Sequence, residues 1–391
     1  MKAGCILLVS FALLSLGCQT DHAVAAWHGT AELRDSVWVV TNPDAPVFDS
    51  TQVRLTPEWD VELLPDSIVG WESPGNVRLL HGVAYVLDLP AHRVAAFDTL
   101  GRRIVVFGRE GAGPGEMNAP TDLFVIGDAI GVGDGRLGRA MLYDKSGHYL
   151  RSLPIPQMSS VLPAGDSTIL VQYFQPGEAG WRLVNGDSAR EIGPLSQRGV
   201  PYAQRDAGCM GDGTKRLILL AATCNRPSVM FFSPSMQLAR VVSIDRPEQH
   251  ATDEQIEQLK AFMEEKLSKT PMAPDARAGM VEMVLKENTV RKDVHGIAAD
   301  SAGGLVALWS QIGTEYGGGN AWLDVLSLSG VYLARFALPR SLKAFDLDDG
   351  RLVTLAEDSL TGTVTLRSAR IQLPDRWRAI AAAADNTRRP D

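Results

Sequence analysis

The chain has 391 residues, of which 45% are hydrophobic and 7% aromatic, and its formal net charge is −8. This composition is typical of a globular protein long enough for one large domain or two smaller ones. Nucleic-acid binding depends on a basic surface that offsets phosphate charge, so an acidic chain without a basic stripe is not expected to bind DNA or RNA.

The N-terminal residues 1–17 have the pattern of a secretory signal. Lys2 is followed by the apolar run CILLVSFALLSL (residues 5–16), which is too short to span a bilayer. The segment LSLGC (residues 14–18) resembles a bacterial lipobox, with Ser15 where such motifs usually have Leu. The resemblance implies cleavage before Cys18 and a lipid on its sulfur. Plain secretion, with cleavage after AVA (residues 23–25), is the alternative.

Residues 18–35 are expected to form a tether behind this lipid. Gln19, rather than Asp, follows the predicted lipidated cysteine, which favours the outer membrane of a two-membrane organism. The sequence therefore predicts an exported protein that is held in the bacterial cell envelope by its N-terminal lipid.

Short apolar runs separated by Gly, Pro, Asp and Asn follow from residue 51 onwards. Runs such as VAYVLDL (83–89), RVAAFD (93–98) and RIVVFG (103–108) are rich in β-formers, which predicts strands joined by tight turns. A repeat of several strands with a period in the forties is typical of a β-propeller blade. Four residues of this stretch recur 46 positions later: Asp88, Arg93, Asp98 and Gly101 correspond to Asp134, Arg139, Asp144 and Gly147.

The turns of the repeat have a defined chemistry. In FDTLG (97–101) and YDKSG (143–147) the Asp carboxylate can accept hydrogen bonds from backbone N–H groups further along the turn. The Gly supplies a positive φ without a Cβ clash, so the chain can reverse between two strands. Within the blades, Asp88 and Asp134 are predicted to form ion pairs with Arg93 and Arg139.

The glycine-rich segment FGREGAGPGEMNAP (107–120) admits two interpretations. A phosphate-binding loop places its glycines at a strand-to-helix junction, whereas this segment leads into a predicted strand. It looks like the connector of NHL-type repeats, and Met stands in place of the usual aromatic residue. The resemblance covers residues 77–150 and implies a link between blades. The matching positions are Gly111, Gly113, Pro114, Gly115, Met117 and Pro120.

The repeat length predicts the number of blades. Residues 51–373, without an insertion over 247–290, divide into about six units of 46 residues. We therefore predict an all-β fold, a six-bladed β-propeller over residues 36–373 with four-stranded antiparallel blades. An N-terminal strand is expected to close the ring, either SVWVV (36–40) or VRLTPEWDVELL (53–64). The whole chain resembles the six-bladed β-propeller lipoproteins of bacterial envelopes, most of which have no assigned reaction.

The insertion over residues 247–290, between blades 4 and 5, has helical patterning. Thr252 and Gln255 form a capping box, and a second helix is predicted over 274–287 with Met280, Met283 and Val284 facing inward. In one interpretation both apolar faces pack on the propeller as a cap. In the other, the hairpin lies beside the pore mouth and gates it or docks a partner through its Met-rich face. The C-terminal residues 374–391 are expected to be a frayed tail.

Two cysteines, Cys209 and Cys224, remain in the predicted mature chain besides Cys18. In an oxidising compartment they are predicted to form a disulfide, which would contribute about 3 kcal/mol in the chain-entropy model. Two buried free thiols are the alternative. A zinc site is not expected, because neither cysteine belongs to a Cys-x-x-Cys pair or lies near a histidine.

No local motif for bond-breaking chemistry is present. The seven histidines form no His-x-x-x-His or His-Glu-x-x-His pattern, and no Gly-x-Ser-x-Gly elbow occurs. His295, at the start of the fifth predicted blade, could face the central channel. We expect no catalytic residue, metal or cofactor, although propeller enzymes gather their residues from several blades and need no local motif.

These observations predict a lipid-anchored, monomeric propeller that binds a protein or polymer ligand in the envelope without catalysing a reaction. The alternative is a propeller hydrolase or lyase with a divalent metal in the central channel, as a resemblance to lactonase-like and NHL-type lyase proteins implies.

Overall fold

The computed structural model of the chain describes residues 27–64, 70–157, 159–175, 178–186, 188–192, 210–213, 218–222, 228–247, 252–268, 272–287, 294–300, 302–314, 317–339, 341–358 and 360–386. Cys18, Cys209 and Cys224 lie outside the described residues, so the lipid anchor and the disulfide stay predictions. No helix in the described part of the chain combines the length and the hydropathy that crossing a bilayer requires.

The strands form six sheets that are the blades of a ring. Blade 1 contains β4 (Pro74–Leu80), β5 (Val83–Asp88), β6 (Arg93–Phe97) and β7 (Arg103–Phe107). Blade 2 contains β8 (Pro120–Ile126), β9 (Ala129–Asp134), β10 (Arg139–Tyr143) and β11 (Tyr149–Pro154). Blade 3 contains β12 (Ser159–Pro163), β13 (Thr168–Gln175), β14 (Glu178–Asn185) and β15 (Ser188–Glu191).

The second half of the ring repeats this arrangement. Blade 4 contains β16 (Met210–Gly213), β17 (Ile218–Ala222), β18 (Ser228–Phe232) and β19 (Leu238–Asp245). Blade 5 contains β20 (Val294–Asp300), β21 (Leu305–Thr314), β22 (Gly317–Ser327) and β23 (Tyr332–Leu338). Blade 6 contains β24 (Leu342–Asp348), β25 (Arg351–Glu357), β26 (Val364–Gln372) and the N-terminal strand β3 (Arg54–Leu63).

The first strand of each blade lies at the centre of the ring. These inner strands are β4, β8, β12, β16, β20 and β24, and each contacts the inner strands of both neighbouring blades. The strands next to them are buried on both faces, which is why β5 and β6 are nearly continuous apolar runs, whereas the outer strand β7 is largely exposed. The described residues form six apolar clusters, one between each pair of neighbouring blades. The predicted six-bladed propeller is confirmed.

Strand β3 closes the ring, which decides between the two strands proposed from the sequence. It pairs antiparallel with β26, so that the outer strand of blade 6 comes from the N-terminal part of the chain. The earlier segment β2 (Val37–Pro43) pairs in parallel with β19 and extends blade 4 outwards, and β1 (Thr30–Arg34) pairs with β2. Part of the predicted tether 18–35 is therefore a strand, because the outer edge of blade 4 offers it backbone partners.

The turns of the repeat have the predicted chemistry. Asp98 Oδ1 accepts hydrogen bonds from the N–H groups of Leu100 and Arg102, both at 2.9 Å. Asp144 Oδ1 does the same with Ser146 at 2.8 Å and His148 at 2.9 Å. The glycines that end these turns have φ values of 75° (Gly101) and 82° (Gly147), where a Cβ would be strained.

The segment 108–119 is a connector, as the NHL-type resemblance implies. It leads from β7 at the outer edge of blade 1 to β8 at the centre of blade 2, and Glu110 and Met117 form a short parallel bridge within it. Met117 is completely buried in the apolar cluster between blades 1 and 2. Because the segment leads into a strand, the helix N-terminus of a phosphate loop is not present at its end.

The two ion pairs predicted within the blades differ. Arg93 Nη2 lies 3.6 Å from the buried Asp88 carboxylate, so this pair is present. Asp134 and Arg139 form no ion pair in the described chain, which corrects the expectation. Arg139 instead donates to the carbonyl oxygens of Gly113 at 2.6 Å and Glu116 at 3.0 Å, and the Asp134 carboxylate accepts backbone N–H groups, including that of Asn118 at 2.6 Å. The glycine-rich connector supplies these nearer partners.

The insertion consists of helices α1 (Asp253–Ser268) and α2 (Pro274–Glu287), which contact each other. The capping box is present, since the Thr252 N–H donates to Gln255 Oε1 at 3.0 Å and the Gln255 N–H donates to Thr252 Oγ1 at 3.4 Å. No residue of α1 is buried. Its large apolar residues are half-buried, so the cap and docking interpretations both stay predictions.

Two methionines of α2 also differ from the prediction. Met280 and Met283 were expected to face inward, but their exposed fractions are 37% and 51%. The less exposed face of α2 runs through Arg277, Val281 and Val284, at the spacing i, i+4, i+7, and only Val281 is buried among the described residues of this helix. The less exposed face of α2 shares Val284 with the predicted face but is rotated about the helix axis away from Met280 and Met283.

Residues 377–386 of the predicted C-terminal tail are not frayed. Helix α3 (Trp377–Asn386) packs against the apolar cluster between blades 5 and 6 and buries Trp377, Ile380, Ala381 and Ala384 there. The alanine-rich sequence RAIAAAA (378–384) favours a helix, and its apolar stripe finds a partner only because the blades leave that cluster uncovered.

Candidate functional site

A cavity of about 250 Å³ lies on the axis of the propeller. Its walls come from the inner strands of blades 1, 2, 3, 5 and 6 and from two residues of the strands behind them. The volume is near the lower end of the range of small-molecule sites, which begins at about 300 Å³. The chemistry-bearing side chains on the walls are Asn76, Arg78, Asp122, Gln172, His295 and Lys343.

Irregularities in the inner strands place several of these side chains. The pairing of β4, β8, β20 and β24 with the strand behind each is interrupted near the first residue, which leaves one unpaired residue in every case. These residues are Gly75, Thr121, His295 and Lys343. A bulge redirects a side chain out of the normal alternation of a strand. His295 and Lys343 line the cavity from these positions.

Two side chains reach the cavity from the second strand of their blades. Trp309 on β21 pairs with Gly296, and Gln172 on β13 pairs with Ser160. A Cβ on Gly296 would lie 2.8 Å from the Phe345 ring and 3.3 Å from the Trp309 ring. Because residue 296 has no side chain, the rings of Phe345 and Trp309 can occupy the space beside it at the cavity wall.

Asp122 is the carboxylate of the cavity wall. Its Oδ2 accepts a hydrogen bond from Thr121 Oγ1 at 2.8 Å. Burial inside the ring raises the pKa of this carboxyl to about 6, and the hydrogen bonds from Thr121 and from the backbone of Val161, together with the charge of Arg78, oppose the rise without cancelling it. Asp122 therefore changes its charge in the pH range in which histidines do.

Arg78 and Asp346 connect blades 1 and 6 beside the cavity. Arg78 Nη1 lies 3.9 Å from Asp346 Oδ1 and donates a hydrogen bond to the carbonyl oxygen of Val77 at 3.2 Å. The other oxygen of Asp346 accepts the N–H of Leu79 at 2.6 Å. These contacts hold the Arg78 guanidinium beside the cavity.

Lys343 and His295 occupy neighbouring blades. Lys343 Nζ donates to Glu357 Oε2 at 2.8 Å. The His295 ring lies 5.5 Å from the Trp309 ring between centroids, with 41° between their planes. Trp309 Nε1 is a buried donor that has no hydrogen-bond partner in the described part of the chain. The cavity thus combines two cationic side chains, each of which has a carboxylate partner, with the Asp122 carboxyl group and an aromatic wall.

The bulged ends of the inner strands share one face of the ring. In an antiparallel four-stranded blade, the start of the first strand and the end of the fourth lie on the same side, so the connectors between blades emerge there. The longest of these connectors is the helical insertion, and α2 is the last element before β20, the strand that carries His295. Chain connectivity therefore brings the insertion to the face at which the polar residues of the cavity begin.

The sequence predicted one residue of this cavity. His295, which is expected from the sequence to face the central channel, lines it. Asp122, Arg78 and Lys343 were not identified, although the 46-residue offset of the repeat relates Asp122 to Asn76 and could have indicated that both lie at one level of adjacent inner strands. Among the described residues, no three His, Cys, Asp or Glu side chains come together in a way that could hold a metal ion.

The comparisons with known proteins agree with the architecture. No family model matches the chain, and no curated protein matches it. The chain is similar to a member of the DUF4221 family from Bacteroides vulgatus, with a TM-score of 0.53 and 12% identity over 83% of this chain and 99% of that one. It is also similar to a protein of Bacteroides fragilis whose name describes it as exported, with a TM-score of 0.50 and 10% identity over 86% and 100% of the two chains. At such identities the likeness shows the fold alone.

Proposed function

We propose that this protein is a lipid-anchored β-propeller of the bacterial cell envelope that binds a protein or polymer ligand without catalysing a reaction, and that the ligand's end enters the axial cavity. The observation that supports this function best is the cavity itself, where side chains from five blades converge. Loops between blades open on the same face and can contact the remainder of the ligand.

The size of the cavity supports a chain end as the bound group. A volume of about 250 Å³ has room for one residue or one small group of a polymer and not for its length. A ligand that inserts its end and lies across the face of the propeller would bury its remaining surface against the connectors. The proposal thereby accounts for both a small cavity and a large ligand.

A variant that fills the cavity tests the binding role. Ser160 is an exposed residue on the wall of the cavity, so Ser160→Phe places a ring in the axial space while displacing little of the core. Ser188→Phe, on the exposed outer strand β15 of the same blade, is the matched control. We expect Ser160→Phe to abolish ligand binding measured by calorimetry and Ser188→Phe to leave it unchanged. Equal binding by the two variants would exclude the axial cavity as the site.

The anchor has its own test. Cys18→Ala should release the protein from the membrane fraction and prevent labelling by a radioactive fatty acid, because the thiol of Cys18 is the predicted attachment point. Cys5→Ala, within the predicted signal, is the control and should leave both fractionation and labelling unchanged. If the Cys18→Ala variant still fractionates with the membrane and is still labelled, the lipid anchor is rejected.

Metal analysis of the purified mature protein tests the absence of catalysis. A stoichiometric divalent ion whose removal abolishes a measured turnover would replace the binding role by the hydrolase or lyase alternative.

A further inference from the structure

Building on the proposed binding role, we infer that the axial cavity takes the carboxyl terminus of a peptide whose last side chain is apolar. The carboxylate would lie between the cationic side chains of the wall, and the last side chain would lie on its aromatic and aliphatic residues. The inference specifies the chemical class of the ligand, which the proposed function leaves open.

Donors for an anionic group are present on the wall. The Lys343 ammonium has three donors, of which Glu357 occupies one at 2.8 Å. Hydrogen bonds between charged partners are the stronger class, which suits a carboxylate at Lys343 and Arg78.

Part of the cavity wall is apolar. Leu162, Trp309 and Ala344 all line it, and each is half-buried rather than completely buried. An apolar side chain that displaces water from these walls is stabilised by the hydrophobic effect. The hydroxyl groups of an acidic sugar would instead lose their water partners against aliphatic carbon, which is unfavourable. This distribution of polar and apolar walls favours a peptide end over a uronic acid, although both have a carboxylate.

An acceptor is also available for the peptide backbone. Asp122 lies on the inner strand of blade 2 and Gln172 reaches the cavity from blade 3. When ionised, Asp122 can accept the N–H of the last peptide bond. The cavity therefore presents complementary groups for the carboxylate, the last amide and the last side chain of a peptide.

Calorimetry on the purified mature protein tests the inference with defined probes. The probes are N-acetyl-Gly-Gly-Val, N-acetyl-Gly-Gly-Leu and N-acetyl-Gly-Gly-Phe, each as the free acid and as the C-terminal amide, with trigalacturonate as the acidic sugar. We expect at least one free acid to bind and its amide to bind about tenfold more weakly or worse, which corresponds to 1.4 kcal/mol.

Matched lysine variants connect the binding to the cavity. Lys343→Met should weaken binding of the free acid by about tenfold, as expected for loss of a charge-assisted contact. Lys145→Met removes a lysine that also pairs with a carboxylate, Asp128 at 3.4 Å, but lies outside the cavity wall, and it should have no effect.

The outcomes separate the inference from the proposed function. Equal affinities of acid and amide, or no binding of any free-acid peptide at millimolar concentration, would overturn the inference. Binding of trigalacturonate alone, abolished by Ser160→Phe, would retain the axial cavity as a binding site and replace the peptide by an acidic sugar. Peptide binding that Ser160→Phe and Lys343→Met leave intact would reject both the inference and the axial site.

Discussion

At the scale of single residues, the axial cavity depends on a few side chains whose neighbours hold them in unusual positions. Asp122 is kept beside the axis by Thr121 and by the backbone of the next blade, and its surroundings favour the uncharged carboxyl. Trp309 reaches the axis because its strand partner is Gly296. Such arrangements reduce the stability of a fold, and their presence at a cavity is typical of a functional site.

The raised pKa of Asp122 leads to a pH-dependent prediction. The pKa of the carboxyl is about 6 in the folded protein against an ordinary value of 3.8, so the folded state holds the proton more tightly than the unfolded state. The free energy of unfolding therefore falls as the pH rises through this interval, and the loss is complete above it. Asp122→Asn should raise the melting temperature at pH 7 relative to the native protein, and the difference should disappear below about pH 4. Calorimetric melting at both pH values measures it, and a pH-independent difference would contradict the assignment.

Asp324, at the junction of blades 4 and 5, differs from Asp122 because its pKa is lowered rather than raised. This completely buried carboxylate accepts hydrogen bonds from Arg246 at 2.9 Å, Arg335 at 2.8 Å and Tyr332 at 2.6 Å. Burial by itself would raise the pKa of Asp324, but the charges of Arg246 and Arg335 outweigh it and hold the pKa below its ordinary value. The ionised carboxylate therefore stabilises the fold at neutral pH.

Replacement of Asp324 should thus be strongly destabilising. Asp324→Asn leaves two arginines without their shared anion, and we expect a loss of about 3–5 kcal/mol in the free energy of unfolding at pH 7. The loss should begin to shrink as the pH falls below about 4, where the carboxyl group of the unfolded chain takes up a proton, and should shrink further until the pH passes the lowered pKa of the folded protein. Asp44→Asn is the control, because the Asp44 side chain contacts the same arginines but is 46% exposed and should matter less. Urea unfolding measures both variants, and equal losses would show that burial of the carboxylate is not the cause.

At the scale of secondary-structure elements, the repeated turn between the third and fourth strands shows how one local motif serves different blades. The backbone hydrogen bonds that close the turn at Asp98 and Asp144 recur at Ser233 and Ser327. Gly147 has a φ of 82°, and a Cβ there would lie 2.6 Å from the ring of Phe107 in the neighbouring blade. The turn is therefore fitted against the adjacent blade as well as to its own strands.

This close fit predicts a difference between two glycines. Gly147→Ala adds the clash with Phe107 to the strain of a left-handed backbone, which is about 1–2 kcal/mol. Gly350 has a φ of 70° and open space where its Cβ would be, so Gly350→Ala should cost only the backbone strain. Thermal unfolding of the two variants should show a clearly larger loss for Gly147→Ala. The packing argument fails if Gly350→Ala is equally or more destabilised.

At the scale of the whole molecule, ring closure joins parts of the chain that are far apart in sequence. Strand β3 begins at Arg54 and pairs with β26, which ends at Gln372. Its side chains complete the apolar cluster between blades 6 and 1, to which Leu63 belongs. Since each blade packs only on its neighbours, an opened ring would expose two blade faces at once.

Two truncations measure the contribution of this closing strand. A mature chain that begins at Asp35 lacks β1, which lies at the outer edge of the blade 4 sheet, and should still unfold cooperatively in urea. A chain that begins at Leu64 also lacks β2 and β3 and should lose cooperative unfolding, because blade 6 is then left with three strands and an uncovered face. Cooperative unfolding of the shorter chain would show that the ring does not need β3.

The sequence-based predictions succeeded where the chemistry is local. The turn residues Asp98 and Asp144, the capping box at Thr252 and the connector over 108–119 all depend on residues a few positions apart, whose backbone geometry is set by their own side chains. The offset of 46 residues predicted a repeated blade and hence a propeller. A repeated unit that cannot bury its faces alone must stack on copies of itself.

The remaining features were decided by partners distant in the sequence. Whether segment 36–40 or 53–64 closes the ring, and whether the alanine-rich helix α3 packs or frays, depends on which sheet edge and which apolar cluster are left uncovered after the blades have assembled. The cavity is the clearest case. Asp122, His295 and Lys343 come from three blades, and no segment of the chain contains the site, because a closed ring brings its inner strands together only at the axis.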